Sequence, residues 1–419
     1  MSEPAAALRE VQLLVPARGS VELGEVLTQL AAVPTATPFA EDTTEFVAEF
    51  SRGLSRAGRG LPELEALAFW MRRSAIRQLR DQHRGLESDR LLLVPRGTVF
   101  HIPPANVDTL FVYSWLLAIL VGNRTIVRLS TRVTDQSTLI LKVLAELLLE
   151  HPGVGQRTAM LAYAHDERTT AAISLASDVR VIWGGDATIE AIRRIALPPH
   201  ATELTFPDRF SMAAMDVAAY RRLSAQARAL LAERFFNDAY WFDQLGCSSA
   251  RLVIWVGDPS LVPEANADFF ERVRAVLDAK GYAVDAATAV AKHVHAYGSM
   301  IDTPVVGYEV LGNELTVLPV SEFPQVRGDF CGGGLFYSMQ ASTLLDLVEH
   351  IDRRDQTLAW FGFSPEQLRL FARALNGRGI DRIVPVGTAL NFDRVWDGHD
   401  LLQAFTRRVV IDPTAPLPA

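Results

Sequence analysis

Strand-like and helix-like segments alternate along the chain from about residue 91 to 215, and this alternation most constrains the fold. Short β-branched runs, such as residues 125–129 and 179–183, are separated by amphipathic segments such as residues 134–150. A chain that returns to successive parallel strands through helices forms right-handed crossovers and a mainly parallel sheet. We therefore predict a doubly wound α/β fold.

A break in this alternation divides the chain near residue 210. Residues 197–208 are rich in proline, and a long helix is predicted after them from Asp216, a plausible N-cap, to about residue 235. A second α/β region follows, up to about residue 400. The expected parts are residues 1–210, 211–400 and 401–419. The other predicted elements are helices at 62–82, from about 108, 134–150, 167–177, 186–195 and 263–279, and strands at 91–95, 125–129, 160–164, 179–183, 252–256 and 409–411.

Composition narrows the class of protein. The chain has 419 residues, 49% of them hydrophobic, which is enough for two cores. Two cysteines in such a length favour a reducing compartment, and because the N-terminus carries no secretory pattern we expect a cytoplasmic protein. The net charge of −8, with dispersed basic residues, argues against nucleic acid or an anionic membrane as partner. The longest apolar run, residues 110–121, is too short to span a bilayer.

Cys247 is the strongest candidate for chemistry. It lies in the small, polar stretch Gln244-Leu245-Gly246-Cys247-Ser248, directly ahead of the predicted strand at 252–256. A thiolate on a tight loop is a strong nucleophile and a good leaving group, so a covalent acyl enzyme could form there. The other interpretation is structural, because free cysteine is among the most buried residue types.

Two loops of the first region carry further polar groups. The amide of Asn106, ahead of the predicted helix at 108, could stabilise an oxygen that gains negative charge, and an Asx turn or helix cap is the alternative. Arg128 ends the strand at 125–129, where open α/β sheets bind ligands, and an ordinary surface arginine is the alternative.

A strand end with two glycines forms the third candidate. Gly184-Gly185-Asp186 follows the strand at 179–183, and its backbone amides could approach a pyrophosphate, although a simple turn explains it equally well. The chain has no Gly-x-Gly-x-x-Gly motif, so the ordinary dinucleotide fingerprint is missing.

In this order, the segments around Asn106, Arg128, Gly184 and Cys247 resemble the aldehyde dehydrogenase superfamily, and more closely its LuxC-type acyl-CoA reductase (fatty acid reductase) branch. The resemblance covers about residues 91–400, and residues 355–358 and 382–387 also look like this branch. It implies two Rossmann-like doubly wound α/β domains with the active site in the cleft between them. The first domain would bind NAD(P) and the second would carry the nucleophile.

The resemblance also implies roles for individual residues. Cys247 would be the nucleophile and Asn106 the oxyanion donor. The residues expected at the cofactor are Arg128, Ser130, Thr131, Gly184, Gly185 and Asp186.

Two departures from the superfamily bear on the reaction. Thr131 stands where NAD-preferring members often have an acidic residue, so NADPH is the expected cofactor and NADH the alternative. Glu203 falls near the glutamate that activates water in oxidising members, but residues 205–208 do not match their glycine-rich pattern. We keep Glu203 as a candidate general base, with an ordinary strand-end glutamate as the other interpretation.

The predicted function is reduction of an acyl thioester, from CoA or a carrier protein, to the aldehyde through an acyl-Cys247 intermediate. The alternatives are NAD(P)-dependent aldehyde oxidation and acyl transfer without redox chemistry. We expect a homodimer or tetramer and, from the resemblance, an acyl-activating enzyme as a partner. We assign no metal, since His293 and His295 lack a nearby carboxylate cluster, and we interpret Cys331 as a small packed side chain.

Overall fold

The computed structural model describes residues 10–16, 19–104, 107, 109–131, 134–324, 327 and 330–412. The chain divides into two compact units, one of residues 1–207 and 392–419 and the other of residues 208–391. Residues 392–400, which we expected in the second domain, therefore group with the first. The rings of Phe392 and Trp396 pack on Tyr113 of that unit, with centroids 5.4 and 5.6 Å away.

The first unit contains an α/β sheet, a helical N-terminal part and a short C-terminal return. Its elements are β1 (Glu10–Val15), β2 (Gly19–Glu22), α1 (Leu23–Ala32), α2 (Glu41–Ala57), α3 (Pro62–Trp70), α4 (Arg73–Arg84), β3 (Leu91–Pro95), β4 (Thr98–Ile102), α5 (Thr109–Leu120), β5 (Arg124–Leu129), α6 (Asp135–Glu150), α7 (Pro152–Gln156), β6 (Thr158–Ala162), α8 (Glu167–Leu175), β7 (Val179–Trp183), α9 (Asp186–Arg193) and β8 (Thr202–Phe206).

The sheet of the first unit is doubly wound about β4. Its strand order is β2-β1-β6-β5-β4-β7-β8, and the five strands from β6 to β8 are parallel. The chain runs outward from β4 through β5 to β6, then crosses to the other side of β4 for β7 and β8. This reversal leaves the carboxyl ends of β4 and β7 next to each other, which is where open α/β sheets bind ligands.

The predicted strand at 91–95 forms as β3, but it is not part of this sheet. It pairs antiparallel with the C-terminal strand β18 (Thr406–Val410). The central strand is Thr98–Ile102, which was not among the strands predicted from the sequence. Its five residues are all buried, and a β-branched run buried on both faces is typical of a central parallel strand.

The second unit holds one seven-stranded sheet covered by helices. Its elements are β9 (Phe210–Asp216), α10 (Val217–Arg222), α11 (Ala225–Ala239), β10 (Ala250–Val256), α12 (Val262–Lys280), α13 (Ala286–Asp302), β11 (Glu309–Val310), β12 (Thr316–Pro319), β13 (Leu335–Ala341), β14 (Asp355–Phe361), α14 (Pro365–Leu375) and β15 (Arg382–Pro385). The return to the first unit adds β16 (Val395–Trp396), β17 (His399–Asp400), α15 (Leu401–Ala404) and β18.

The sheet of the second unit has the order β11-β12-β13-β10-β9-β14-β15, and only its β11–β12 pair is antiparallel. It too reverses direction at one point, between β9 and β14. Residues along β10 alternate between two hydrophobic cores, with Val253 and Trp255 in one and Leu252 and Ile254 in the other. Each unit is therefore a doubly wound α/β layer, which confirms the predicted fold class.

The long helix predicted from Asp216 is two helices. Asp216 does cap the first, by accepting a hydrogen bond from the Ala219 amide, but Leu223 is extended and Ser224 caps a second helix. Likewise, the helix predicted at 62–82 divides after Trp70. Across the described part of the chain, no helix combines the length and apolar character needed to cross a membrane.

Candidate active site

Cys247 lies at the amino edge of the second sheet. Its loop follows a short 3-10 turn, Trp241–Gln244, and leads into β10. The side chain is partly buried. The hydroxyl of Ser211, on β9, donates to the Cys247 carbonyl at 2.7 Å and so fixes the backbone at the thiol.

The turn ahead of Cys247 has a strained backbone. Phe242, Asp243 and Gln244 have φ values of 57°, 53° and 65°, which is the left-handed region. Each such non-glycine residue costs on the order of 1 kcal/mol and persists only where surrounding contacts hold it.

Gln244 supplies those contacts. Its side chain is fully buried and donates to the carbonyls of Ala250 and Leu335 at 3.0 and 2.9 Å. Its side-chain oxygen accepts from the Gly334 amide at 2.9 Å. Buried and fully engaged, the amide ties the turn to the starts of β10 and β13.

A glycine run packs closely on the same turn. Gly332, Gly333 and Gly334 all have positive φ, and the Gly333 amide donates to the Asp243 carbonyl at 3.0 Å. A Cβ atom on Gly332 would lie 2.6 Å from that carbonyl oxygen. The approach therefore requires glycine. Cys331, just before this run, is partly buried and packs against one core of the sheet.

The sulfur of Cys247 has a hydrogen-bond donor on β14. The amide nitrogen of Gln356 lies 3.6 Å from Cys247 Sγ, and its oxygen accepts from the Ser248 hydroxyl at 3.2 Å. Ser248 in turn accepts from Thr357 at 3.3 Å and, more weakly, from Arg382 at 3.4 Å. Each group in this series therefore donates a hydrogen bond to the next, and the last donor, the Gln356 amide, faces the sulfur.

Arg251 adds positive charge to this region. Burial lowers its pKa to about 10, while the neighbouring Cys247, Asp208 and Cys331 favour its charged form. Its guanidinium lies over the ring of Phe330, 4.0 Å from the centroid. By reciprocity, the charged guanidinium favours a thiolate at Cys247.

No role was predicted from the sequence for Gln356, Ser248, Arg251 or Arg382. Gln356 and Arg382 lie in segments that resemble the acyl-CoA reductase branch, and this resemblance was the sequence signal that could have pointed to them. A further buried cation, Lys292, donates to the Gly333 carbonyl at 2.9 Å. Burial lowers the pKa of Lys292 to about 8.

The candidate cofactor residues of the first unit lie at the carboxyl edge of its sheet. Arg128 is near the end of β5, where its guanidinium stacks on Tyr163 at 4.8 Å and lies 3.3 Å from His165 Nδ1. Ser130 and Thr131 follow and are exposed. Asn106, in the loop after β4, lies outside the described residues.

Gly184, Gly185 and Asp186 form the junction between β7 and α9. Gly185 is the N-cap of α9 and Asp186 its first residue, so the first main-chain amides of this helix lie at the edge that also carries Arg128. The indole of Trp183, one residue earlier, stacks on Phe206 with centroids 3.7 Å apart. This stacking fixes the position of the strand end that leads into the junction.

Glu203 is held inside the sheet of the first unit. It lies opposite Arg180 on the neighbouring strand, and one carboxylate oxygen accepts from Arg180 while the other accepts from Arg193 at 3.0 Å. Its side chain is 16% exposed. Both oxygens are therefore engaged in ion pairs.

No group of three or more histidine, cysteine, aspartate or glutamate side chains that could hold a metal ion occurs among the described residues. His293 contacts the Tyr308 hydroxyl at 2.5 Å.

The model of a known family matches residues 71–293, which is more than half of the 419 residues. Its description is acyl-CoA reductase (LuxC). The chain belongs to this family. The resemblance found in the sequence is thereby confirmed.

Curated relatives of this LuxC-family chain include the long-chain acyl-protein thioester reductases of Aliivibrio fischeri and Vibrio harveyi. The first is 24% identical over 318 residues, covering 74% of this chain and 62% of the relative. The second is 24% identical over 323 residues, covering 75% and 63%. The aligned part is thus less than two thirds of the length of either relative.

Solved structures similar to the LuxC-family chain are aldehyde dehydrogenases. Aldehyde dehydrogenase 21 of Physcomitrella patens superposes with a TM-score of 0.67 at 10% identity, covering 98% of this chain and 95% of the other. KauB of Pseudomonas aeruginosa gives 0.67 at 12% identity, covering 98% and 94%. At these identities the likeness shows the fold alone, and the fold is that of the aldehyde dehydrogenases.

Proposed function

We propose that this protein reduces an acyl thioester, carried by CoA or a carrier protein, to the aldehyde through an acyl-Cys247 intermediate. The observation that carries the proposal is the setting of the thiol. It stands on a strained turn held by Gln244, with a hydrogen-bond donor from Gln356 at 3.6 Å and the charge of Arg251 nearby. Such surroundings favour a thiolate.

In the first step, the Cys247 sulfur attacks the thioester carbonyl carbon. A new carbon–sulfur bond forms, the bond to the carrier's sulfur breaks, and the departing thiolate takes up the proton that Cys247 released. The main-chain amide of Cys247 and, from the family resemblance, the side chain of Asn106 are the proposed donors to the oxyanion. The relatives' names, long-chain acyl-protein thioester reductase, support this substrate class.

The proposed cofactor is NADPH. When bound, a reduced nicotinamide would supply a hydride to the acyl carbon, and loss of Cys247 as the thiolate would then release the aldehyde. The amides at the start of α9 suit a pyrophosphate, and Arg128, stacked on Tyr163, suits a phosphate on the adenosine ribose. Thr131 brings no negative charge against that phosphate.

The oxidative alternative needs a base that activates water, and Glu203 was its candidate. Both carboxylate oxygens accept hydrogen bonds from arginines, one from Arg180 and the other from Arg193, an arrangement that does not suit Glu203 to take a proton from water. This favours reduction over aldehyde oxidation.

Mass spectrometry tests the reaction. The protein is incubated with a panel of acyl-CoAs without cofactor, and NADPH is then added. We expect acylation at Cys247 and loss of the label with aldehyde formation. Cys331→Ser, the matched control, should load normally, whereas Cys247→Ala should not. Loading without release by NADPH or NADH would support acyl transfer alone, and full activity of Cys247→Ala would overturn the proposal.

We further propose that the protein is a homodimer or tetramer located in the cytoplasm. An acyl-activating enzyme would hand over the acyl group to it. Strand β18 supports the assembly, because Val409 and Val410 are 41% and 77% exposed and one side of the strand pairs with β3. Light scattering tests it, and a single monomeric mass would contradict it.

A further inference from the structure

We propose that Gln356 is a catalytic residue of this site, whose side-chain amide donates a hydrogen bond to the thiolate of Cys247. The inference rests on the proposed function in one respect, that Cys247 is the nucleophile. It adds the group that sets the reactivity of the sulfur.

An irregular strand pairing brings Gln356 to the sulfur. The register between β14 and β9 shifts between Asp355 and Leu358, so Gln356 and Thr357 lie where regular pairing is interrupted. The Thr357 amide donates to the Ser211 hydroxyl at 3.3 Å, and that hydroxyl donates to the Cys247 carbonyl. Such irregularities redirect side chains next to active sites.

The hydrogen-bond network fixes which end of the Gln356 amide faces the sulfur. Arg382 can only donate, so its bond to Ser248 occupies a lone pair of that hydroxyl. Thr357 donates to the same oxygen. The Ser248 proton is then directed to the Gln356 oxygen, which leaves the NH₂ group towards Cys247 Sγ at 3.6 Å.

Burial makes this donor effective. Gln356, Thr357 and Ser248 have relative exposures of 0%, 0% and 1%, and a hydrogen bond to a charged atom is stronger in such an environment than in water. The β14 strand places Asp355, Gln356 and Thr357 in succession inside the protein, where apolar residues would otherwise stand. A buried polar run of this kind is retained where each group has a partner.

The same network cannot remove a proton from the thiol. An amide, two hydroxyls and a guanidinium are not bases at neutral pH. Gln356 therefore stabilises the thiolate without offering a base that would activate water against the acyl enzyme. This fits an intermediate that must survive until it is reduced.

The test is the pH dependence of Cys247 alkylation by iodoacetamide, without substrate, in a Cys331→Ser background. Gln356→Met should raise the thiol pKa by about one unit, since it removes a charge-assisted hydrogen bond, and should slow alkylation about tenfold below that pKa. Gln356→Glu should raise the thiol pKa as well, because a carboxylate repels the thiolate. Gln340→Met, at an exposed position of β13, is the matched control.

A second measurement separates catalysis from packing. Gln356→Glu places a base beside the acylated sulfur, so acyl-Cys247 should hydrolyse faster than in the parent, releasing free acid without cofactor. Ser248→Ala, which frees the Gln356 amide to rotate, should raise the thiol pKa in the same direction by a smaller amount, and it decides the matter where Gln356→Met fails to fold.

An unchanged thiol pKa in folded Gln356→Met, or in Ser248→Ala where that variant must stand in, would overturn the assignment. Arg251, whose charge acts on Cys247, and Arg382, which donates to Ser248, are the same in every variant. If no acyl group loads on Cys247 while the alkylation shift is seen, the proposed reaction fails and the role of Gln356 stands. If acyl groups load normally on Cys247 but the alkylation shift is not seen, the role of Gln356 fails and the proposed reaction stands.

Discussion

The side-chain oxygen of Gln244 accepts a hydrogen bond from the main-chain amide of Gly334 at 2.9 Å, joining the turn that precedes the candidate nucleophile to the start of β13. Residues 90 positions apart are thereby held together at one edge of the sheet. The shape of the Cys247 loop depends on this contact.

We expect Gln244→Leu to lose three buried hydrogen bonds to main-chain groups. The free energy of unfolding should fall by about 3 kcal/mol or more, and acyl loading of Cys247 should slow. Urea unfolding and the mass-spectrometric loading assay measure the two effects. Gln226→Leu, at an exposed position of α11, should change neither, and equal behaviour of the two variants would refute the role given to Gln244.

Two glycine substitutions should have opposite effects. Gly334 has a φ of 80°, and an added Cβ would lie 1.9 Å from the Glu314 carbonyl oxygen, so Gly334→Ala should strongly destabilise the second unit. Gly298 is inside α13 with nothing within 4 Å of an added Cβ. Gly298→Ala should therefore stabilise by about 0.5–1 kcal/mol. Thermal unfolding of both variants checks the pair, and a loss at Gly298 would contradict the second expectation.

Acid should destabilise the first unit through His101. Burial lowers its pKa from 6.5 to about 3. Between these values the unfolded chain binds a proton that the folded chain does not, so the free energy of unfolding should fall as the pH drops from about 6.5 to about 3. The upper bound is roughly 5 kcal/mol.

His101→Gln removes this titration, so the stability difference between variant and parent should change across the same pH range. Comparing the two proteins at each pH cancels other groups, including Asp238 and Asp355, whose pKa values burial raises to about 7 and about 6 and whose effect has the opposite sign. A stability difference independent of pH would contradict the expectation.

Arg128→Met should weaken NADPH binding by about tenfold or more, because a charge-assisted bond to the ribose phosphate is lost, and should affect NADH much less. Thr131→Glu should act in the same direction through repulsion. Nucleotide fluorescence titration gives both dissociation constants. Arg168→Met, exposed on α8, is the control, and an equal loss for NADPH and NADH at Arg128 would argue against phosphate recognition.

The local sequence pattern predicted an element well where all of its residues favoured the same secondary structure. The run at 179–183 became β7 without change of bounds. The strand at Thr98–Ile102 was missed because Gly97 and the proline pair after it resemble a loop, whereas its burial on both faces depends on distant strands. The split at Leu223 similarly reflects the cap formed by Ser224.

The candidate site residues were only partly predictable, because those of the first unit and those of the second lie at opposite kinds of sheet edge. Arg128 and Gly184 follow strands, at the carboxyl edge where the rule for open sheets places ligands. Ser211, Gln356 and Arg382 instead begin strands, and the Cys247 loop precedes one. Their meeting at an amino edge depends on strand order and on the register shift of β14, neither of which a local pattern reveals.

The strained turn at residues 242–244 links the reactivity of Cys247 to the progress of folding. Gln244 of the turn bonds to Leu335 of β13, 91 positions later in the chain, and Cys247 contacts Gln356 of β14, 109 positions later. A nascent chain that ends at residue 256 therefore lacks both Leu335 and the Gln356 amide. On the proposed roles of Cys247 and Gln356, the thiol would reach its full reactivity only when the later strands join the sheet, so acylation of an unfinished molecule would be slow.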